Sequence, residues 1–150
     1  MEPVRLRGVL PAVRTLAPDL IFSVDVTPAC DTPDLKPRAD LALDAGPGLT
    51  CYSFHSRGTL GGIIPPAWLV DQVEAVAAAR SIPWQRATFF GGLTDASFAQ
   101  LEGQGAPALD FGVPTRYTHM PVEACSLQDV LHTCRLLEAC VRSGLAPDRP

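Results

Sequence analysis

The run DLIFSVDV, Asp19–Val26, decides how the chain is read. It is a short apolar segment that reads as a buried strand ending at Asp25. The segment before it, VLPAVRTLA (Val9–Ala17), carries apolar residues at helical spacing, with Pro11 near a first turn. After it, TPACDTPDLKPRAD (Thr27–Asp40) is rich in proline and aspartate and reads as a loop. Working outward, LTCYSF (Leu49–Phe54) looks like a second strand, and Pro65 and Pro66 suit the entry of a helix through AWLVDQVEAVAAAR (Ala67–Arg80). Leu69, Val73, Val76 and Ala77 form its apolar stripe, which suits packing on a sheet. WQRATFF (Trp84–Phe90) is strand-like and stops at Gly91-Gly92; ALDFGV (Ala108–Val113) is another strand, broken by Gly112 and ended by Pro114. Ser126 with Asp129 three residues on resembles a capping box, opening a helix with Leu127, Val130, Leu131, Cys134, Leu137 and Val141 on its apolar face and Gly144 at its close. Strands alternating with helices give an α/β sandwich.

The composition sets the bounds. At 150 residues, with 47% hydrophobic and 19% charged residues, the chain is expected to be a single globular domain spanning 1–150. Net charge is −4 and the arginines are scattered, so no basic stripe invites nucleic acid. Five cysteines, with no C-x-x-C pair, suggest reduced thiols rather than a disulfide framework or a zinc knuckle. No apolar run approaches a membrane span and the N-terminus lacks a signal-peptide core, so a cytoplasmic protein with no membrane partner is expected.

Candidate chemistry gathers at strand ends. Asp25 at the end of one strand and His119 just after another, in PTRYTHMPVEA (Pro114–Ala124), lie where α/β proteins collect ligands; each is open to a metal role or to a plain capping role. GGLTDAS (Gly91–Ser97) could present backbone N–H groups to an anion, but it lacks the spacing and lysine of a phosphate loop, and Thr94 or Asp95 could simply cap a short helix. Arg116 and Tyr117 could hold a substrate carboxylate or carbonyl; alternatively Arg116 pairs with Glu123 or another nearby carboxylate. There is no G-x-S-x-G elbow and no cysteine in a nucleophile context.

Taken in order, SVDVTPACDTPD (Ser23–Asp34), AGPGLTCYS (Ala45–Ser53), IPWQRATFFGGLTDAS (Ile82–Ser97) and VPTRYTHMPVEACSLQDVLHTCRLL (Val113–Leu137) resemble the C-terminal half of the glutamyl aminopeptidase family. These are the M42-type cocatalytic two-metal aminopeptidases, also called endoglucanase-like or FrvX-related. The resemblance implies part of a three-layer α/β/α sandwich with a mixed sheet, lacking the family's N-terminal strands and its inserted smaller domain. It also implies hydrolysis of N-terminal residues from peptides by two divalent metals, zinc or cobalt. On its pattern Asp25 and His119 match two metal ligands, and Asp95 and Arg116 match stretches lining the substrate cleft. MEPVRLRGV (Met1–Val9) aligns with a Glu-Glu pair, so Glu2 matches the general base, while Pro3 stands where the family has a metal-binding glutamate.

Two ligand matches serve a pair of metals, whereas catalytic zinc sites use three protein ligands each. Metal binding by these residues is therefore expected to be weak or absent. The expected function is a truncated or split relative of a two-metal aminopeptidase, inactive alone and self-associating. The alternatives are a subunit completing its site with a separate N-terminal half, and a non-enzymatic peptide-binding or self-associating module.

Overall fold

A computed structural model describes residues 6–55 and 62–146. The elements are α1 (Val9–Leu16), β1 (Ile21–Pro28), β2 (Gly48–Phe54), α2 (Ala67–Ala79), β3 (Gln85–Phe90), α3 (Ala96–Ala99), β4 (Ala108–Arg116), β5 (Ala124–Cys125) and α4 (Leu127–Ser143). The strands form one mixed sheet in the order β1-β4-β2-β3, with β5 attached to the end of β4. β1 runs parallel to β4 and β2 parallel to β3, while β2 and β4 are antiparallel.

Side-chain alternation along the strands makes the two helical layers. Leu109 and Phe111 of β4, with Leu49 of β2, face α2 and α4 and pack against Leu69, Val73, Leu136 and Cys140. Ile21 of β1 and Ala108 of β4 face the other way, onto Val13 of α1 and Ala96 and Ala99 of α3. The result is the expected α/β/α arrangement. The buried stripe of α2 is Leu69, Val70, Val73 and Ala77, close to the expected one.

Three local expectations are corrected. β1 does not end at Asp25 but continues to Pro28, because Thr27 and Pro28 stay in register with Pro114 and Thr115. Nor is β4 broken at Gly112 or stopped at Pro114. A Cβ at Gly112 would lie 2.7 Å from Thr27, so this glycine permits close approach of β1 rather than interrupting the strand. The inner face of α4 is Asp129, Thr133, Leu136, Ala139 and Cys140; of the stripe read as apolar, Leu137 packs at the edge of the core while the rest turns outward, with Leu127 82% and Val141 71% exposed.

The last inversion has a polar cause. Ser126 caps α4 by accepting the Gln128 N–H, but Asp129 does not close a capping box on Ser126. Its carboxylate accepts the backbone N–H groups of Asp44 and Gly46, each at 2.8 Å, tying the β1–β2 loop to the helix start. Thr133 donates to the Asp129 carbonyl one turn back. With those polar groups satisfied, burying this face costs little, and the helix rotates accordingly.

β1 lies at one end of the sheet, hydrogen-bonded to β4 alone among the described strands. Val24 and Val26 on it are 55% and 37% exposed. An edge carrying exposed valines is an unprotected one.

Candidate functional site

Parallel pairing brings the C-terminal ends of β1 and β4 to the same end of the sheet. Asp25 stands opposite Gly112, three residues before β1 ends, and its neighbour on β4 therefore has no side chain to cover it. It is exposed; Oδ1 accepts the Val26 N–H at 2.7 Å, and Oδ2 carries no bond to a described residue.

His119 lies three residues past the end of β4, in the turn that leads to β5. The turn is strained, with Tyr117 at φ 63° and His119 at φ 65°. The left-handed region costs an L-residue roughly 1–2 kcal/mol and persists where surroundings enforce it. Here Glu123 does so, accepting the His119 backbone N–H at 2.6 Å. The backbone is pinned while the imidazole, which bonds no described residue, stays exposed.

Arg116 does not pair with Glu123. Its guanidinium forks onto Asp31, Nε to Oδ1 at 2.7 Å and Nη2 to Oδ2 at 2.9 Å. The guanidinium, helped by the Leu43 N–H, holds the Asp31 carboxyl down at about 2. A fork spent this way is not available to a substrate carboxylate.

Asp95 occupies the cap position of the four-residue α3 but makes no side-chain cap bond and is exposed. Its neighbour Thr94 turns inward, donating its hydroxyl to Oδ2 of Asp110 at 2.6 Å. Asp110, on β4, is 1% exposed, and its Oδ1 has no hydrogen-bond partner among the described residues. Burial pushes its carboxyl above the usual range; the hydroxyls of Thr94 and Ser23 oppose this, and the charges of Asp25 and Asp95 add to it. Asp25 and Asp95 thus each lie close enough to Asp110 for their charges to act on its carboxyl. Sequence reading missed Asp110, although an acid within the apolar run ALDFGV is a signal in itself. It also missed Asp31, which nothing in its acidic loop distinguishes from Asp34 or Asp40.

Glu2 lies outside the described residues. Among the described residues, no three histidines, cysteines, aspartates or glutamates converge as a metal-binding set. Asp25 and His119 therefore do not form a closed metal centre with the groups around them, since a catalytic zinc takes three protein ligands. Between the strand ends lies a hollow of about 210 Å3, walled by Pro28, Ala29, Leu35 and Tyr117.

Comparison with known proteins gives a consistent result. The family model described as M42 glutamyl aminopeptidase matches residues 1–136. SgcX of Escherichia coli K12 is 41% identical over 138 residues, covering 92% of this chain and 37% of that protein. The TET aminopeptidase of Thaumarchaeota archaeon SCGC AB-539-E09 superimposes with a TM-score of 0.83 at 31% identity, over 98% of this chain and 39% of that one. The TET1 peptidase of Pyrococcus horikoshii, which can assemble into a tetrahedron or a large octahedral shell, gives 0.74 at 26% identity over 91% and 37%. The chain thus spans about two fifths of the length of these relatives.

Proposed function

This chain belongs to the M42 glutamyl aminopeptidase family, and from that premise we propose that it carries one part of a two-metal aminopeptidase centre acting on the N-terminal residues of peptides. Asp25 and His119 are its metal ligands, for zinc or cobalt, and Glu2 is its general base. Asp95 lies on the cleft wall. Arg116 acts there by fixing Asp31 and the loop behind the cleft rather than by gripping substrate. These 150 residues do not hydrolyse peptides alone, because a pair of metals requires more ligands than converge among the described residues. The protein is a cytoplasmic homo-oligomer.

The observation that carries this reading is the placement of an uncovered aspartate and a pinned histidine at the same end of two paired parallel strands. The free edge of β1 favours completion by another stretch of polypeptide, in the same chain or a separate one.

Zinc titration with metal analysis tests it. The 150-residue chain is expected to bind zinc weakly through Asp25 and His119 and to release no product from a chromogenic amide of an N-terminal residue. Two tightly held metals per chain, or release of the chromophore by this chain alone, would overturn the proposal of inactivity. Unchanged zinc binding in a double variant, Asp25→Ala with His119→Ala, would remove both residues from the ligand set.

A further inference from the structure

The arginines are scattered along the sequence, but folding gathers three of them. Arg80, at the C-terminal end of α2, and Arg135 and Arg142 on α4 line one open hollow of about 380 Å3, the size of a small-molecule site. None of Asp25, Asp95, Arg116 and His119 lines it.

Elsewhere on the surface arginines are matched to carboxylates: Arg14 to Glu102, Arg86 to Glu74 and Arg116 to Asp31. In this hollow the match is incomplete. Glu138 is the acid among its lining residues, and it is spent on Arg142 at 2.9 Å. The guanidinium groups of Arg80 and Arg135 have no hydrogen-bond or ion-pair partner among the described residues. Nor does the Arg80 side chain serve as a helix cap. The last carbonyls of α2, on Val76, Ala77 and Ala78, accept the backbone N–H groups of Arg80, Ser81 and Ile82. Three cations thus face one carboxylate, in a chain whose net charge is −4.

His132 lines the same hollow and adds a donor. Gln128 Nε2, which can only donate, lies 3.0 Å from His132 Nε2, so that ring nitrogen accepts and the proton sits on Nδ1. This Nδ1 is buried and has no hydrogen-bond partner among the described residues. Folded proteins seldom leave such a donor unmet. Two uncommitted guanidinium forks with a third donor suit a phosphate group, which offers three oxygens and close to two negative charges, better than a carboxylate with two oxygens and one.

We propose that this hollow binds a phosphate group, as free phosphate or carried by a small molecule, through Arg80, Arg135 and the Nδ1–H of His132. The site needs no metal, and it stands or falls separately from the ligand roles of Asp25 and His119.

NMR titration of the metal-free chain with inorganic phosphate tests it, with chloride at equal ionic strength as the reference for screening. Phosphate is expected to give saturable shifts at the Ser81 and Ile82 amides and at the guanidinium N–H signals of Arg80 and Arg135. Arg80→Gln and Arg135→Gln should each weaken binding by about tenfold. Their urea midpoints should match the parent chain, since both side chains are exposed and unpaired. Glu138→Gln, which releases Arg142, should tighten binding by about threefold. Glycerol 3-phosphate identifies the source: tighter binding than phosphate marks a phosphate ester as the occupant, equal or weaker binding marks free phosphate, and both uphold the site. Shifts that do not saturate, that chloride reproduces, or that fall on another surface would overturn it. So would unchanged affinity in the two arginine variants, or weaker binding in Glu138→Gln.

Discussion

Replacing Asp129 by asparagine should destabilise the chain more than any surface change, although the residue touches no ligand. Its two carboxylate oxygens each accept one backbone N–H, from Asp44 and Gly46, at 2.8 Å, and the side chain is fully buried. An amide can satisfy one of these donors and must turn its own NH2 on the other. The loss is one charge-assisted bond, about 1.5–3 kcal/mol, plus an unsatisfied buried donor, about 1–3 kcal/mol, so about 2.5–6 kcal/mol in all. For a domain of this size that lowers Tm by roughly 5–24 °C. Gly46 cannot shift to compensate: its φ is +90°, and a Cβ built on it would lie 2.1 Å from the Pro83 carbonyl oxygen, so the loop is wedged there. Urea unfolding gives the stability change, and hydrogen exchange should show the Asp44 and Gly46 amides losing protection beyond the global loss. Ser126→Ala, which removes the cap and the bond from the Ser126 hydroxyl to the Asp44 carboxylate while leaving the Asp129 carboxylate in place, serves as a comparison at about 1 kcal/mol. A cost below about 0.5 kcal/mol for Asp129→Asn, the range of ordinary surface changes, would refute the claim that this carboxylate sets the face α4 buries.

Three further outcomes are expected. Asp31 sits near 2 when folded and near 3.9 when unfolded, so its contribution is complete above about pH 4 and lost as pH falls toward 2. Acid titration of Asp31→Asn should lack that part of the transition, and an identical acid profile would contradict the pairing. Asp110 has the opposite sign: its folded carboxyl is raised by burial, so its unpartnered oxygen is tolerated best at low pH and costs stability as pH rises through the folded value. Asp110→Asn should therefore gain stability relative to the parent chain at pH 7 and lose that advantage near pH 4, measured by urea midpoints. Lysine at Val24 and Val26 should block pairing along the free edge of β1; sedimentation velocity should show less self-association than the parent chain, and no change would place the contact elsewhere.

The alternation of helix and strand, the sandwich class and the position of Asp25 and His119 near strand ends were all legible in the chain, because apolar periodicity and proline or glycine punctuation are local properties. The resemblance carried by SVDVT and PTRYTH is likewise a property of the sequence alone. What the sequence did not carry was which partner each polar group finds. The α4 stripe Leu127, Val130, Leu131, Cys134, Leu137 and Val141 reads as a core face by composition, yet the helix buries Asp129 and Thr133, because the N–H groups that satisfy Asp129 come from residues more than eighty positions away. Gly112 and Pro114 read as breakers, since their role as a close-approach point and a strand residue depends on Thr27 of a neighbouring strand. Arg116 offered itself as a substrate grip, and only the folding back of the β1–β2 loop shows Asp31 in its fork. Local pattern determined the elements; long-range hydrogen bonding decided their rotation, and with it which charges are left to act.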